Sequence, residues 1–242
     1  MSKHEEIARI LTRDILTGQY RVGERLPSER DLAARFDASR GAVREAMKKL
    51  EQLGIADIQP GGARVLPLNE ASLDVIGHLL SVRDKPSREL VDQILVVINA
   101  LVQTAVIAAL QREDEQVLRS LRELIRPIWS EQLDLEAFYE AQTNMFRGVL
   151  VASGNLPVQL IAKSLLDQFG PQMAFLRDYA VPDMETHRAL AREMDAALAA
   201  RDLDAVRRSF AESSKFHRER TQKAFDAYEA AETPARLEAS AS

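Results

Sequence analysis

Arg40, Arg44 and Lys48 recur at every fourth position, so on a helix they form one stripe. A cationic stripe has two readings. It can be a solvated face paired with acids such as Glu45, or a surface that meets phosphates and the base edges between them. The stripe starts at Arg40, directly behind Ser39, a residue type that caps helix N-termini. Arg30 stands behind a second serine, Ser28, and could reach the same surface. The expected division of labour places Arg30 and Arg40 on guanine edges, where a bidentate fork discriminates between bases. Ser28, Ser39 and Arg44 then hold phosphates. Gly41 belongs to the same group, beside Arg40.

Two short helices must position these side chains. The first runs from about Ser28 to Phe36: Pro27 stops anything upstream, Ser28 with Asp31 makes a capping-box-like start, and Leu32 and Phe36 share a face. Asp37 and Ala38 make the turn, and Ser39 starts a second helix with an apolar set of Ala42, Val43, Ala46, Met47 and Leu50. So short a link forces a steep crossing, which is helix-turn-helix geometry. Gly54 ends the second helix. Ile58 and Val65 then flank the tight turn Pro60-Gly61-Gly62, as in the hairpin of a winged helix. Gly62 at its tip permits close approach to a minor groove.

These residues carry a resemblance. Residues 4 to 66 are similar to the N-terminal domain of GntR-family bacterial transcription regulators, through GQYRVGERLPSERDLAARFDASRGAVREAMKKLEQLGI and the glycine wing that follows. The resemblance implies a homodimer on a palindromic double-stranded DNA operator, one winged helix per half-site.

Composition sets the remaining bounds. A chain of 242 residues suits one large or two modest domains, and 46% hydrophobic with 29% charged residues is an ordinary globular balance. The absence of cysteine removes disulfides, thiolate metal sites and a thiol nucleophile. The segment MSKHEEIARIL is not a signal peptide, and the expected location is the cytoplasm, with no membrane partner. The apolar run at 94–110 is short for a membrane span, carries Asn99 and Gln103, and reads as a buried central helix. Net charge is −5, yet residues 1–66 hold 12 Lys and Arg against 10 Asp and Glu, leaving 20 against 27 for the remainder. The basic share lies where DNA would bind, around Arg30, Arg35, Arg40, Arg44, Lys48 and Lys49.

Beyond a linker at 67–72 the pattern is helical throughout. The first helix of the chain is expected over His4 to Tyr20, and later ones near 70–83, 86–111, 114–131, 134–153, 157–179, 183–200 and 202–228. The fold class is therefore mainly α: a winged helix-turn-helix of three helices plus a hairpin over 1–66, and an all-α bundle of six or seven helices over 73–228 for effector binding and dimerisation. A frayed tail is expected over 229–242.

The bundle resembles the effector domain of the FadR subfamily, and in residues 143–157 and 206–222 its fatty-acid-responsive members. Many members of the subfamily hold a metal with an Asp and a His one turn apart plus two more His. The resemblance puts Thr143 and Arg147 in the first two slots and leaves His187 and His217 about one turn out of place, so no metal and no cofactor is expected. It implies instead a small-molecule effector, such as a long-chain acyl-CoA. Phe146, Val149, Leu150, Phe169, Met173, Phe175 and Phe216 could line a channel or simply pack a core. Arg147, Asn155, Arg177, Tyr179, Glu212, Ser213 and His217 could meet the polar end. Where those members carry Gly, Tyr and Trp near the ligand, this chain has Phe210, Ser209 and His217, and Phe210 would fill space. Another carboxylate or sugar acid, or no ligand, is the alternative. No Gly-rich phosphate loop, nucleophile elbow or paired carboxylate frame points to catalysis; an enzymatic or storage bundle with an interaction domain is the remaining alternative.

Overall fold

The computed structural model describes residues 2–59, 62–83, 85–112, 114–129, 134–180 and 182–240. The chain divides into two compact units, Met1–Pro86 and Ser87–Ser242.

In the first unit the helices are α1 (Lys3–Leu16), α2 (Glu29–Phe36), α3 (Arg40–Gln52) and α4 (Val75–Ser81), with strands β1 (Ala56–Gln59) and β2 (Gly62–Val65). The capping residues do what their types dictate. Ser28 accepts from the Asp31 N–H and Ser39 from the Ala42 N–H, each satisfying a donor that the first helical turn leaves open. α1 stops at Leu16 rather than Tyr20, because the Gln19 N–H turns back onto the Asp14 carbonyl. The same closure ends α2, with Ala38 N–H on Ala33 and Asp37 left-handed at φ 46°, and ends α3, with Ile55 N–H on Leu50. At α3 the left-handed residue is Gly54 (φ 69°), and an added Cβ there would lie 3.1 Å from both Ala71 Cα and Glu70 O. Glycine is needed for conformation and for space.

The core forms where the 3.6-residue pattern points. Ile7, Leu11 and Ile15 of α1 meet Leu32 of α2, Val43, Ala46 and Leu50 of α3, and Val65 of β2. The strands pair antiparallel from Ala56↔Val65 to Gln59↔Gly62. Pro60 and Gly61, the expected turn, lie outside the described residues, and Ile58 is exposed. A third extended piece was not expected. Leu26 N–H donates to Ala63, Val65 N–H donates to Glu24, and Arg25 bridges Arg64, so the segment before α2 completes the sheet.

The first unit also extends past the expected boundary at 66. Leu66 N–H bonds to the Ile55 carbonyl, Ser72 N–H to the Leu53 carbonyl, and Val75 of α4 is buried in the winged core. Chain expected as linker and as the start of the second domain is tied down here by its own backbone donors.

The second unit holds α5 (Arg88–Gln111), α6 (Glu115–Ile125), α7 (Leu135–Ala152), α8 (Leu156–Gln172), α9 (Met184–Ala199) and α10 (Leu203–Ser240), with short 3-10 turns after α6 and α8. Ser87, Asp114, Asp134, Asn155 and Asp183 each accept an N–H from the first turn of the helix they precede. α5 packs against α6, α7, α8 and α10 and buries Ile94, Ile98, Val102, Ala105, Val106 and Ala109. It is long and apolar enough to cross a membrane, with mean hydropathy 2.1, and Val96 and Val97 remain exposed. α10 runs through Ser240 where a frayed tail is expected from 229. Arg88 holds that region with hydrogen bonds of 3.0 and 3.1 Å to Glu229, and Tyr228 is buried.

Candidate nucleic-acid interface and bundle cavity

Arg30 and Arg40, the residues expected to read bases, are both exposed, Arg30 with 78% of its side chain accessible. Among the described residues Arg30 makes one ion pair, with its neighbour Asp31 at 3.7 Å, and Arg40 makes none within 4.0 Å. Arg44 behaves differently. Its Nε and Nη2 donate to the two carboxylate oxygens of Glu29 at 3.0 and 2.9 Å, so α3 is clamped to the first turn of α2. The Arg44 bonds hold the Glu29 carboxyl below the ordinary glutamate range, and the positive charge of Arg40 adds to the effect. Glu29 thus sits between the two helix starts and fixes one guanidinium beside the other. An exposed pair of this kind adds little to stability and is easily exchanged for another anion.

The rest of the expected basic field separates. Lys48 pairs with Glu45, and Lys49 lies 3.7 Å from Glu5 of α1. Arg35 is structural: it donates to the buried Asp14 carboxylate at 2.9 Å and to the Tyr20 hydroxyl at 3.1 Å, and lies over the Phe36 ring. The Asp14 carboxylate raises Arg35 above its ordinary value. Ser28 and Ser39 are exposed, their hydroxyls engaged as helix caps. Gly41 is exposed, and a Cβ there would meet only Ser39 Oγ at 3.8 Å, so nothing in the fold requires glycine. Gly62 is exposed with φ 128°, a conformation that favours glycine. Sequence reasoning passed over Arg64, exposed on β2 with its guanidinium on the Gly23 carbonyl at 2.8 Å. The alternation Ala63 in, Arg64 out, Val65 in was the available signal.

In the bundle the expected effector set does not assemble. A cavity of about 90 Å³ lies inside, lined by residues that include Phe146, Ser213 and His217 from that set. Arg147 is exposed and lines an outer groove with Asp114 and Glu123. Asn155 caps α8, Tyr179 packs edge-on against Tyr228 at 5.2 Å, and Glu212 is exposed. Of the expected channel residues, Phe175 stacks on Phe225 and Tyr228, and Phe216 on His187. The physical reason is register. On α7 the residues one turn apart that face the cavity are Gln142 and Phe146, whereas Thr143 and Arg147 are exposed. Neither pair offers a carboxylate and an imidazole to a metal.

The cavity brings forward His187 instead. It is 3% exposed, stacks edge-on against Phe138 and Phe216, and lies 5.1 Å from the His217 ring. Its Nε2 is 2.6 Å from Nη1 of Arg220. Burial pushes His187 down to about 3, with the neighbouring His217 and the Arg220 charge adding to the effect. Burial and Arg220 push His217 down to about 4. Both rings are neutral near pH 7. Asn99 and Gln142 add polar groups, and Phe210 fills one wall, as its size implied.

Residues 3–65 match the family model described as "Bacterial regulatory proteins, gntR family". The HTH-type transcriptional regulator Mce2R of Mycobacterium tuberculosis is 27% identical over 175 residues, 71% of this chain and 72% of that one. A "Fatty acid metabolism regulator protein" of Pectobacterium carotovorum subsp. carotovorum is 28% identical over 153 residues, 62% of each chain. Among solved structures, Lar, which controls expression of the Listeria monocytogenes agr system, shares the fold with a TM-score of 0.55 at 18% identity, over 93% of this chain and 98% of that one.

Proposed function

We propose that this chain, whose residues 3–65 match the family model of gntR-type bacterial regulatory proteins, is a transcriptional regulator that binds a palindromic operator as a homodimer and releases or grips it in response to a small molecule. The observation that carries the reading is the pair of exposed guanidiniums at the starts of α2 and α3, Arg30 with only a 3.7 Å contact to its neighbour Asp31 among the described residues, with the Glu29–Arg44 clamp joining the two helix starts. Arg30 and Arg40 read guanine edges in the major groove; Ser28, Ser39 and Arg44 meet phosphates; Gly41 and Gly62 let backbone approach the duplex. Arg44 reaches its phosphate by exchanging the Glu29 carboxylate for it. A protein acting on the chromosome in this way works in the cytoplasm, and no catalysis is assigned to it.

The test is a binding titration against duplexes selected from a randomised pool. Arg40→Ala should flatten base preference at one position per half-site, by about 1–3 kcal/mol. Arg44→Ala should weaken all sequences alike and reduce the salt slope by about one. Unchanged preference in Arg40→Ala removes the assignment. Salt-insensitive binding of the wild type would favour an interaction module over a DNA reader.

For the effector, cavity size favours a small metabolite over a long-chain acyl-CoA. Sites for drug-sized ligands span about 300–1,000 Å³, and this cavity has about 90 Å³. The relative named as a fatty acid metabolism regulator keeps acyl-CoA as the second reading. Native mass spectrometry of protein purified from its host separates the two by the mass retained.

A further inference from the structure

Resting on the reading that the winged surface binds operator DNA, we propose that Glu29 is a further specificity-determining residue: released from Arg44 in the complex, its carboxylate accepts from the exocyclic amino group of a cytosine in the major groove.

Position is the first observation. Glu29 opens α2, immediately precedes Arg30, and reaches across to Arg44 of α3. The positive charge of Arg40 acts on its carboxyl as well. It therefore shares the ground of the two side chains assigned to guanine edges. Its engagement is the second. Both carboxylate oxygens accept from Arg44, one from Nε at 3.0 Å and one from Nη2 at 2.9 Å. α2 does not use this carboxylate as its cap, because Ser28 accepts from the Asp31 N–H and donates to the Asp31 carboxylate. Exposure is the third. The Arg44 side chain is 62% accessible and that of Glu29 40%, so both halves of the fork are open to exchange.

Exchange creates a demand. When Arg44 turns to a phosphate, Glu29 loses both of its donors. A carboxylate stranded beside a polyanion is repelled, so the complex must supply a donor or lose affinity. Base edges in the major groove supply two, cytosine N4 and adenine N6. Adenine sets its N7 acceptor beside N6, where it opposes the second carboxylate oxygen. Guanine and thymine present acceptors alone. Cytosine offers its amino group with no acceptor beside it and is the base that fits. Its pairing partner offers guanine O6 and N7, the edge that Arg30 and Arg40 are assigned to read. Neighbouring cationic and anionic side chains thus meet complementary edges.

The experiment is selection of duplexes from a randomised pool, followed by titration, with the full chain as wild type, Glu29→Gln and Arg44→Ala. The wild type should require cytosine at one position per half-site, where any other base costs at least about fivefold. Glu29→Gln should move that preference to adenine, whose N6 and N7 match a carboxamide, and keep the guanine preferences. Those retained preferences report an intact surface. Arg44→Ala should leave the cytosine preference in place. A residue that only braces Arg44 gives another pattern, in which Glu29→Gln weakens all sequences alike, as Arg44→Ala does. That pattern, no cytosine requirement in the wild type, an unchanged requirement in Glu29→Gln, or loss of all duplex binding by Glu29→Gln each overturns the proposal. Guanine preferences without a position that depends on Glu29 sink this inference alone. A wild type that selects no sequence sinks the regulator reading itself.

Discussion

The two units place their charges in opposite environments. In the winged unit Arg30, Arg40 and Arg44 stand in solvent, and their positions come from two capped helix starts and one carboxylate, Glu29. In the bundle His187 and His217 line an apolar void, with Arg220 held against the His187 ring. The same residue type thus stands in two kinds of setting. Exposed arginines are exchangeable partners for a polyanion, whereas a partly buried one is held by the side chain packed against it. An exposed arginine is also separable from the fold, so its loss should alter binding and spare stability. Removing a group from the bundle interior should do the reverse.

Core truncation should break the comparison most strongly. Leu50→Ala in α3 should cost about 2–5 kcal/mol and Phe138→Ala, which removes the ring packed on His187, about 3–5 kcal/mol; both side chains are fully buried. Chemical denaturation measures the loss. Leu50→Ala should abolish duplex binding and spare the bundle, and Phe138→Ala should impair the cavity first. Equal damage to both units by either variant would show that the two kinds of site are not separable.

Base discrimination by Arg40 comes next, with the titration described above. A smaller effect is expected from pH. His187 and His217 have folded values well below the ordinary histidine value, so protons bind the unfolded chain more readily than the folded one as pH falls. Stability should be level above about pH 6.5 and decline below it, by on the order of 1–2 kcal/mol per pH unit for the pair, until the folded values near 4 and 3 are reached. Denaturation between pH 6.5 and 5 precedes carboxylate titration. A His187→Gln, His217→Gln variant should flatten that part of the curve, and an unaltered slope would mean the rings are not held neutral by burial.

The smallest effect has opposite signs in the two measurements. Gly41→Ala should raise stability by about 0.5–1 kcal/mol, since an exposed helical glycine gains from a methyl group that meets only Ser39 Oγ. The same methyl group should weaken duplex binding if backbone approaches DNA there. A gain in stability with no loss of binding would remove Gly41 from the interface.

What the sequence determined by itself was everything local. Caps at Ser28 and Ser39, the stop at Gly54, the apolar faces of α2 and α3 and the exposed arginine stripe are set by neighbours within about one or two turns, and each stands where the residue types place it. Tertiary structure decided what depends on partners far along the chain. It gave Arg44 to Glu29, Arg35 to Asp14 and the segment before α2 to β2, and it brought His187 of α9 against Arg220 of α10. It also chose Gln142 and Phe146 over Thr143 and Arg147 as the cavity face of α7. Helical spacing tells which residues share a face. Which face looks inward is fixed only when the other helices close around it, and a rotation of one residue, about 100°, exchanges a cavity wall for solvent.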